Sequence, residues 1–160
     1  MAFDASSIFR AYLSDVLNNT TAMDWVDDAS VLGALFNNAI TPDNDAAAAA
    51  TAYNTGQWSN TNEAADGTEW DAGGEPITNR SIDLTADTIT LDADDTPSGG
   101  TSATLTAYGV QVYDDTIASP VADQGFCFND FGGVQTVTDG TFIVQWHPTQ
   151  GVMQFTVAAA

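Results

Sequence analysis

The apolar positions of this chain change period once, from helical to alternating. Ile8, Phe9, Tyr12, Leu13, Val16 and Leu17 recur at helical spacing. This predicts a short amphipathic helix over 6–18, opened by Ser6 or Ser7 as a cap and closed at Asn18-Asn19. Its apolar stripe has to be covered, by the chain's own sheet or by a neighbouring subunit, and the chain's own sheet is the favoured reading. Thr21–Val26 and Ser30–Asn37 read as two strands of a hairpin around Asp27-Asp28, a turn-prone pair. Thr41-Pro42-Asp43-Asn44-Asp45 then offers Thr41 or Asp43 as an N-cap for the alanine run 46–50, which predicts a helix of roughly two to three turns ending near Tyr53. Between 54 and 79 the periodicity lapses. This is read as a long irregular loop, with Trp58 and Trp70 as anchoring points that contact a neighbour.

From Arg80 onward the period is two. Ile82 and Leu84, then Ile89 and Leu91, alternate with polar residues as half-buried strands do. Asp92–Gly100 is turn-rich. In Thr101–Tyr113 the apolar parity changes from Ala103, Leu105 and Ala107 to Tyr108, Val110 and Val112. A one-residue slip reverses the faces of a strand, so a bulge near Ala107–Gly109 is predicted, which keeps both halves inward. Val121–Phe128 reads as a further strand, and Gly132-Gly133 and Asp139-Gly140 as turns. Phe142, Val144 and Trp146 share one face, and Met153, Phe155 and Val157 another. Roughly eight or nine short strands with two minor helices predict a mainly β protein. The expected fold is an antiparallel β-sandwich in a single domain over 1–160, with a short N-terminal helix and one short Ala-rich helix.

Charge narrows the function classes. The chain has 160 residues, and two arginines, Arg10 and Arg80, with no lysine, stand against 19 Asp and 3 Glu, for a formal net charge of −20. So few cations exclude nucleic acid and an anionic membrane as partners. Apolar residues make up 44% of the chain, enough for a core, and no run approaches the ~20 apolar residues of a membrane span. The first residues lack a basic start and apolar stretch, so a soluble protein without a secretory signal is expected. A shell of Asp without Lys is self-repulsive in dilute buffer and becomes tolerable where molar salt shortens the Debye length to roughly 3 Å. It fits a halophilic host; a surface that holds divalent cations or prevents self-association is the other reading.

Candidate chemistry is sparse. His147, in Trp146-His147-Pro148, has no Gly-x-Ser-x-Gly partner and reads as a strand-end residue. Cys127, between Phe126 and Phe128, reads as a core thiol, and one cysteine allows no internal disulfide. Asp43-x-Asp45 and Asp92-x-Asp94-Asp95 resemble the opening of a calcium loop. From Asp92, however, the sixth and twelfth positions are Pro97 and Ala103, where Gly and Glu are required, and from Asp43 they are Ala48 and Asn54. Asp92, Asp94, Asp95, Asp114 and Asp115 are therefore candidates for an isolated Ca²⁺ or Mg²⁺ site, and solvated surface is the reading favoured for them. No enzyme activity and no cofactor are expected.

Residues 31–43 (Val-Leu-Gly-Ala-Leu-Phe-Asn-Asn-Ala-Ile-Thr-Pro-Asp), 91–95 (Leu-Asp-Ala-Asp-Asp), 107–115 (Ala-Tyr-Gly-Val-Gln-Val-Tyr-Asp-Asp) and 140–146 (Gly-Thr-Phe-Ile-Val-Gln-Trp) resemble a family of small structural proteins encoded among the head and tail genes of tailed viruses of bacteria and archaea. The resemblance rests on strand and turn patterns over most of 20–157; the absence of Lys and the Ala-rich helix depart from it. It implies a non-enzymatic virion protein that decorates and stabilises the outer capsid surface, a cement protein bound to the major capsid protein. A homotrimer is expected on symmetry grounds. Its contacts should be aromatic and apolar, from Phe3, Ile8, Phe9, Tyr12, Trp58, Trp70 and the tail Val157–Ala160. The alternatives are a tail-associated virion protein and a glycan- or receptor-binding β-sandwich module.

Overall fold

The structure, a computed structural model, describes residues 6–21, 24–27 and 30–156. Ten strands and two short helices follow in the order β1 (Ser7–Ile8), α1 (Arg10–Leu17), β2 (Val31–Phe36), α2 (Ala48–Thr51), β3 (Glu75–Pro76), β4 (Ser81–Thr85), β5 (Thr88–Asp92), β6 (Thr96–Pro97), β7 (Ala103–Asp114), β8 (Gly125–Gly140), β9 (Ile143–Val144) and β10 (Met153–Thr156). All pairings are antiparallel. They form a five-stranded sheet of order β1-β8-β7-β2-β3, a three-stranded sheet of order β10-β5-β4, and the pair β6-β9. The fold is thus mainly β and sandwich-like, with a short helix on one side.

The long β7-β8 pairing is the frame. In β7, Ala103, Leu105 and Ala107 are buried and their neighbours exposed, whereas residues 109–114 are buried on both faces. The register slips between Ala107 and Gly109, where the parity change predicted a bulge. Opposite that slip, Gly109 faces Asp130 and Ala107 faces Gln135, so residues 131–134 of β8 bulge out against one residue. Gly132 and Gly133 sit here at φ +72° and +146°. The pair predicted as a turn is instead a wide bulge inside one strand, where glycine supplies backbone angles that other residues resist.

Other departures share a cause: tertiary partners override local propensity. The predicted helix over 6–18 begins at Arg10, because Ser7 and Ile8 pair with Phe128 and Cys127 as a strand. The Ser6 hydroxyl accepts the Asp130 N–H at 2.9 Å and caps nothing. The predicted strand Thr21–Val26 falls partly on residues 22–23, which, like 28–29, lie outside those described; among the described residues Asp24 accepts the N–H groups of Val26 and Asp27 in a turn. The alanine run forms one turn, with no side-chain cap at its start. It ends where the Thr51 carbonyl accepts a hydrogen bond from the buried Gln111 amide at 2.6 Å. Val121–Asp123 is not strand; β8 starts at Gly125. Phe142, Val144 and Trp146 do face inward, with Ile143 between them 47% exposed.

The loop 54–79 carries a single 3₁₀ turn, Gly56–Trp58, and the short β3. Both of its tryptophans are fully buried. Trp58 packs edge-on against Phe9 and Phe36, at centroid distances of 5.6 and 5.1 Å, and beside Phe128. Trp70 packs edge-on against Phe142 at 5.9 Å. The loop is therefore a lid on the core.

Candidate functional site

The residues expected to contact a partner are distributed unlike the expectation. Phe9, Trp58 and Trp70 are completely buried, stabilise the chain's own fold and offer no surface to another molecule; Tyr12, 4% exposed, is buried as well and reaches the surface only at the wall of a groove described below. Polar sequence around Trp58 and Trp70 suggested exposure, but a polar loop can fold back over a core and leave its aromatic residues beneath it. Ile8 is half-buried and borders a groove described below. Phe3 and Val157–Ala160 lie outside the described residues.

Four of the acidic candidates are engaged by the chain itself, and the fifth, Asp115, is exposed. Asp92 accepts the Ala93 N–H, Asp94 accepts the Asn79 side-chain amide, and Asp95 accepts the Trp146 N–H at 3.0 Å. Asp114 is fully buried and accepts both the N–H and the hydroxyl of Thr116, closing the turn through Asp115. Among the described residues no three His, Cys, Asp or Glu side chains gather into a metal-binding group. His147 is exposed, and its Nδ1 faces the N–H groups of Thr149 and Gln150 at 3.3 and 3.2 Å. Burial pushes the Cys127 thiol far above its ordinary range, which leaves it protonated and inert. None of these places a nucleophile, a base and an orienting group together.

What the surface does present is an apolar face that the sequence reading missed. Register places Leu84 opposite Ile89, Ile82 opposite Leu91, and Phe155 of β10 opposite Ile89. These side chains share one face of the β10-β5-β4 sheet. Leu91 is nearly buried at 9%, whereas Ile89, Ile82 and Leu84 are 36%, 47% and 75% exposed. The sheet enters the core at one end and stands out from it at the other. Beside it, Val16 and Leu17 of α1 and Val26 are also exposed. A groove of about 590 Å³ between α1 and this sheet joins the two, with Tyr12, Trp25 and Phe126 among its walls. The two-period alternation of 82–91 was legible; that its apolar side extends past the edge of the core was not, since alternation is the same whether a strand faces its own core or a partner's.

Around this face the charge is one-sided. Arg10 pairs with Asp45 at the surface. Arg80 donates to the carbonyls of Trp25, at 2.6 Å, and Ile77, and its guanidinium lies 5.9 Å from the Trp25 ring centroid. Both cations are thus used in binding the chain to itself, and what projects around the apolar face is carboxylate, including Asp24 and Asp83.

Compared with protein-family models, with curated proteins and with solved structures, the chain finds no match.

Proposed function

We propose that this protein is a non-catalytic structural component of a tailed-virus particle, a decoration protein on the capsid exterior. Its host environment is saline, and it docks on the major capsid protein through the apolar face of β4, β5 and α1. The observation that carries the reading is that face: Leu84, Ile82, Ile89, Val16 and Leu17 are exposed together on a surface otherwise dominated by carboxylates. Contiguous apolar patches on small proteins mark interaction sites, and anchors at the centre of such a patch supply most of the binding energy. The acidic remainder repels DNA and other particles while keeping the protein soluble. Closed symmetry makes a trimer the expected assembly on a shell.

The test is mass spectrometry of purified particles from a producing culture, followed by rebinding of recombinant protein to particles stripped of it. Recovery in the particle and saturable rebinding, lost in Leu84→Asp, support the reading. Absence from particles, or rebinding that Leu84→Asp leaves intact, would sink it.

A further inference from the structure

A second surface is set apart by what it lacks. Along the outer side of β8, facing β9 and the turn before β10, two depressions of about 430 and 530 Å³ adjoin and share Asp130, Phe131, Val144 and Gln145. Four of the chain's seven glutamines line them: Gln135, Gln145, Gln150 and Gln154. Among the described residues, Asp130 is the one acidic side chain that does so. The acidic run at 92–95 borders an adjoining depression that shares Gln145, Trp146 and His147 with the first, and the Asp95 carboxylate there is taken up by the Trp146 N–H. On so acidic a molecule, a continuous groove floored by neutral amides selects against charged ligands. Anions are repelled by the net charge, and the groove's own lining offers a cation a single carboxylate, Asp130, among the described residues.

Three further features define the groove. Asn129 donates its amide N–H to the Val152 carbonyl at 2.9 Å, and its Oδ1, buried at the edge of the groove, has no hydrogen-bond partner. That oxygen lies beneath the surface, so it is the Val152 contact that fixes Asn129 at the groove edge. The side-chain amides of Gln145 and Gln150 are exposed, and each offers both a donor and an acceptor. Half-buried Phe131, where the two depressions meet, provides carbon surface. Paired amides with one carboxylate and an aromatic ring match a molecule of vicinal hydroxyls on an apolar ring. An added peptide strand fits less well: it needs a regular edge, and β8 bulges at 131–134, with Gly132 and Gly133 at positive φ.

We infer that this groove is a binding site for a neutral oligosaccharide, with Gln145 and Gln150 bonding its hydroxyls and Phe131 packing against a sugar ring. The combined size falls in the range of ligand clefts, roughly 300–1,000 Å³. The inference is independent of capsid docking, which uses other residues, those of β4, β5 and α1.

The experiment is a titration of the isotope-labelled full chain in molar KCl, followed by amide chemical shifts. The probes are neutral hexaoses of β-1,4-glucose, α-1,4-glucose and N-acetylglucosamine, with hexagalacturonate as the charged control and a neutral Ser/Gly peptide as the strand control. Expected is saturable movement of the amides of Phe131, Gln145 and Gln150 by at least one neutral hexaose, with a Kd in the range of about 0.1–10 mM typical of weak ligands. Binding should weaken about tenfold or more in Gln145→Ala/Gln150→Ala, since each lost hydrogen bond is worth severalfold in affinity. Both residues are exposed, so the fold survives the change; Phe131→Leu is a second variant that keeps the packing volume and loses the ring. No shifts with any neutral hexaose up to about 10 mM, shifts outside the groove, equal binding by the double variant, or groove shifts produced by the peptide alone would each overturn the assignment.

Discussion

Asp66 holds in place the loop segment that buries Trp70. Its Oδ1 accepts the N–H groups of Thr68, Glu69 and Trp70 at 3.1, 2.8 and 3.0 Å, and its Oδ2 accepts the N–H of Thr104 at the start of β7, at 3.1 Å. These donors, Trp70 foremost, hold the carboxyl far below the usual carboxylate range. In Asp66→Asn the amide oxygen can still accept three of them, but the NH₂ group then points a donor at the Thr104 N–H. Bonds to an ionised acceptor contribute about 1.5–3 kcal/mol against about 0.5–1.5 for neutral ones. Solvent at this half-buried site screens much of that difference, leaving a net loss of about 1–2 kcal/mol. For a domain of this size the melting temperature should fall by about 2–8 °C. Thermal unfolding followed by circular dichroism, in molar KCl at pH 7 and again near pH 2.5, tests the sign as well. A carboxyl whose pKa is lowered by folding stabilises the protein above its ordinary value of 3.8 and loses that contribution as pH falls through the folded value. The gap between wild type and variant should therefore be full at pH 7 and narrow at pH 2.5. A gap under about 0.5 kcal/mol at pH 7, the size of an ordinary surface change, or one unaltered at low pH, would refute the role.

Trp58→Ala should cost about 3–5 kcal/mol, because it empties a site enclosed by Phe9, Phe36 and Phe128; chemical denaturation measures it. Leu84→Asp, at a position 75% exposed, should shift stability by no more than about 0.5 kcal/mol while abolishing particle rebinding, which a melt and a rebinding assay separate. Unfolding from dilute buffer to molar KCl should show a rising melting temperature. Two carboxylates about 10 Å apart repel by about 0.4 kcal/mol in water, and molar salt screens that distance almost completely; a flat series would remove the salt-adaptation argument. Glu63 accepts the Tyr53 hydroxyl and the Gly73 N–H, both at 2.7 Å, yet burial outweighs these bonds and raises its pKa above 4.5. A raised carboxyl favours the folded state while protonated, so wild type should lose stability relative to Glu63→Gln as pH rises from about 4.5. Paired melts across pH 4–7 check the direction.

The strand architecture was legible because alternation is a local property. The bulge at 107–109, the inward face of Phe142, Val144 and Trp146, and the alternation of β4 and β5 were all written in parity. What was not legible depended on partners far along the chain. Ser7 and Ile8 leave their helical pattern because β8, some 120 positions later, offers a free edge. Gly132-Gly133 has the composition of a turn, and only the register of β7 makes it a bulge. No sequence pattern tells which neighbour an aromatic residue meets, so the tryptophans of the polar loop, expected to contact another molecule, instead meet the chain's own core. The exposed apolar face at Ile82, Leu84 and Ile89 was illegible for the same reason: it carries the same alternation as a covered one.

Salt separates the two surfaces. Any self-association through the β4-β5 face brings two chains of charge −20 together, so it should strengthen as salt rises. Docking of the same face on a partner that supplies Lys or Arg at its rim should weaken. Sugar binding in the glutamine-lined groove, which involves one carboxylate and no cation, should barely respond. The three responses have different signs, so one ionic-strength series, read at the Leu84 face and at the Gln145 groove separately, distinguishes an acidic coat that serves solubility alone from one that also decides which partners reach each face. A groove whose affinity followed the salt dependence of the apolar face would mean that the two are not independent sites.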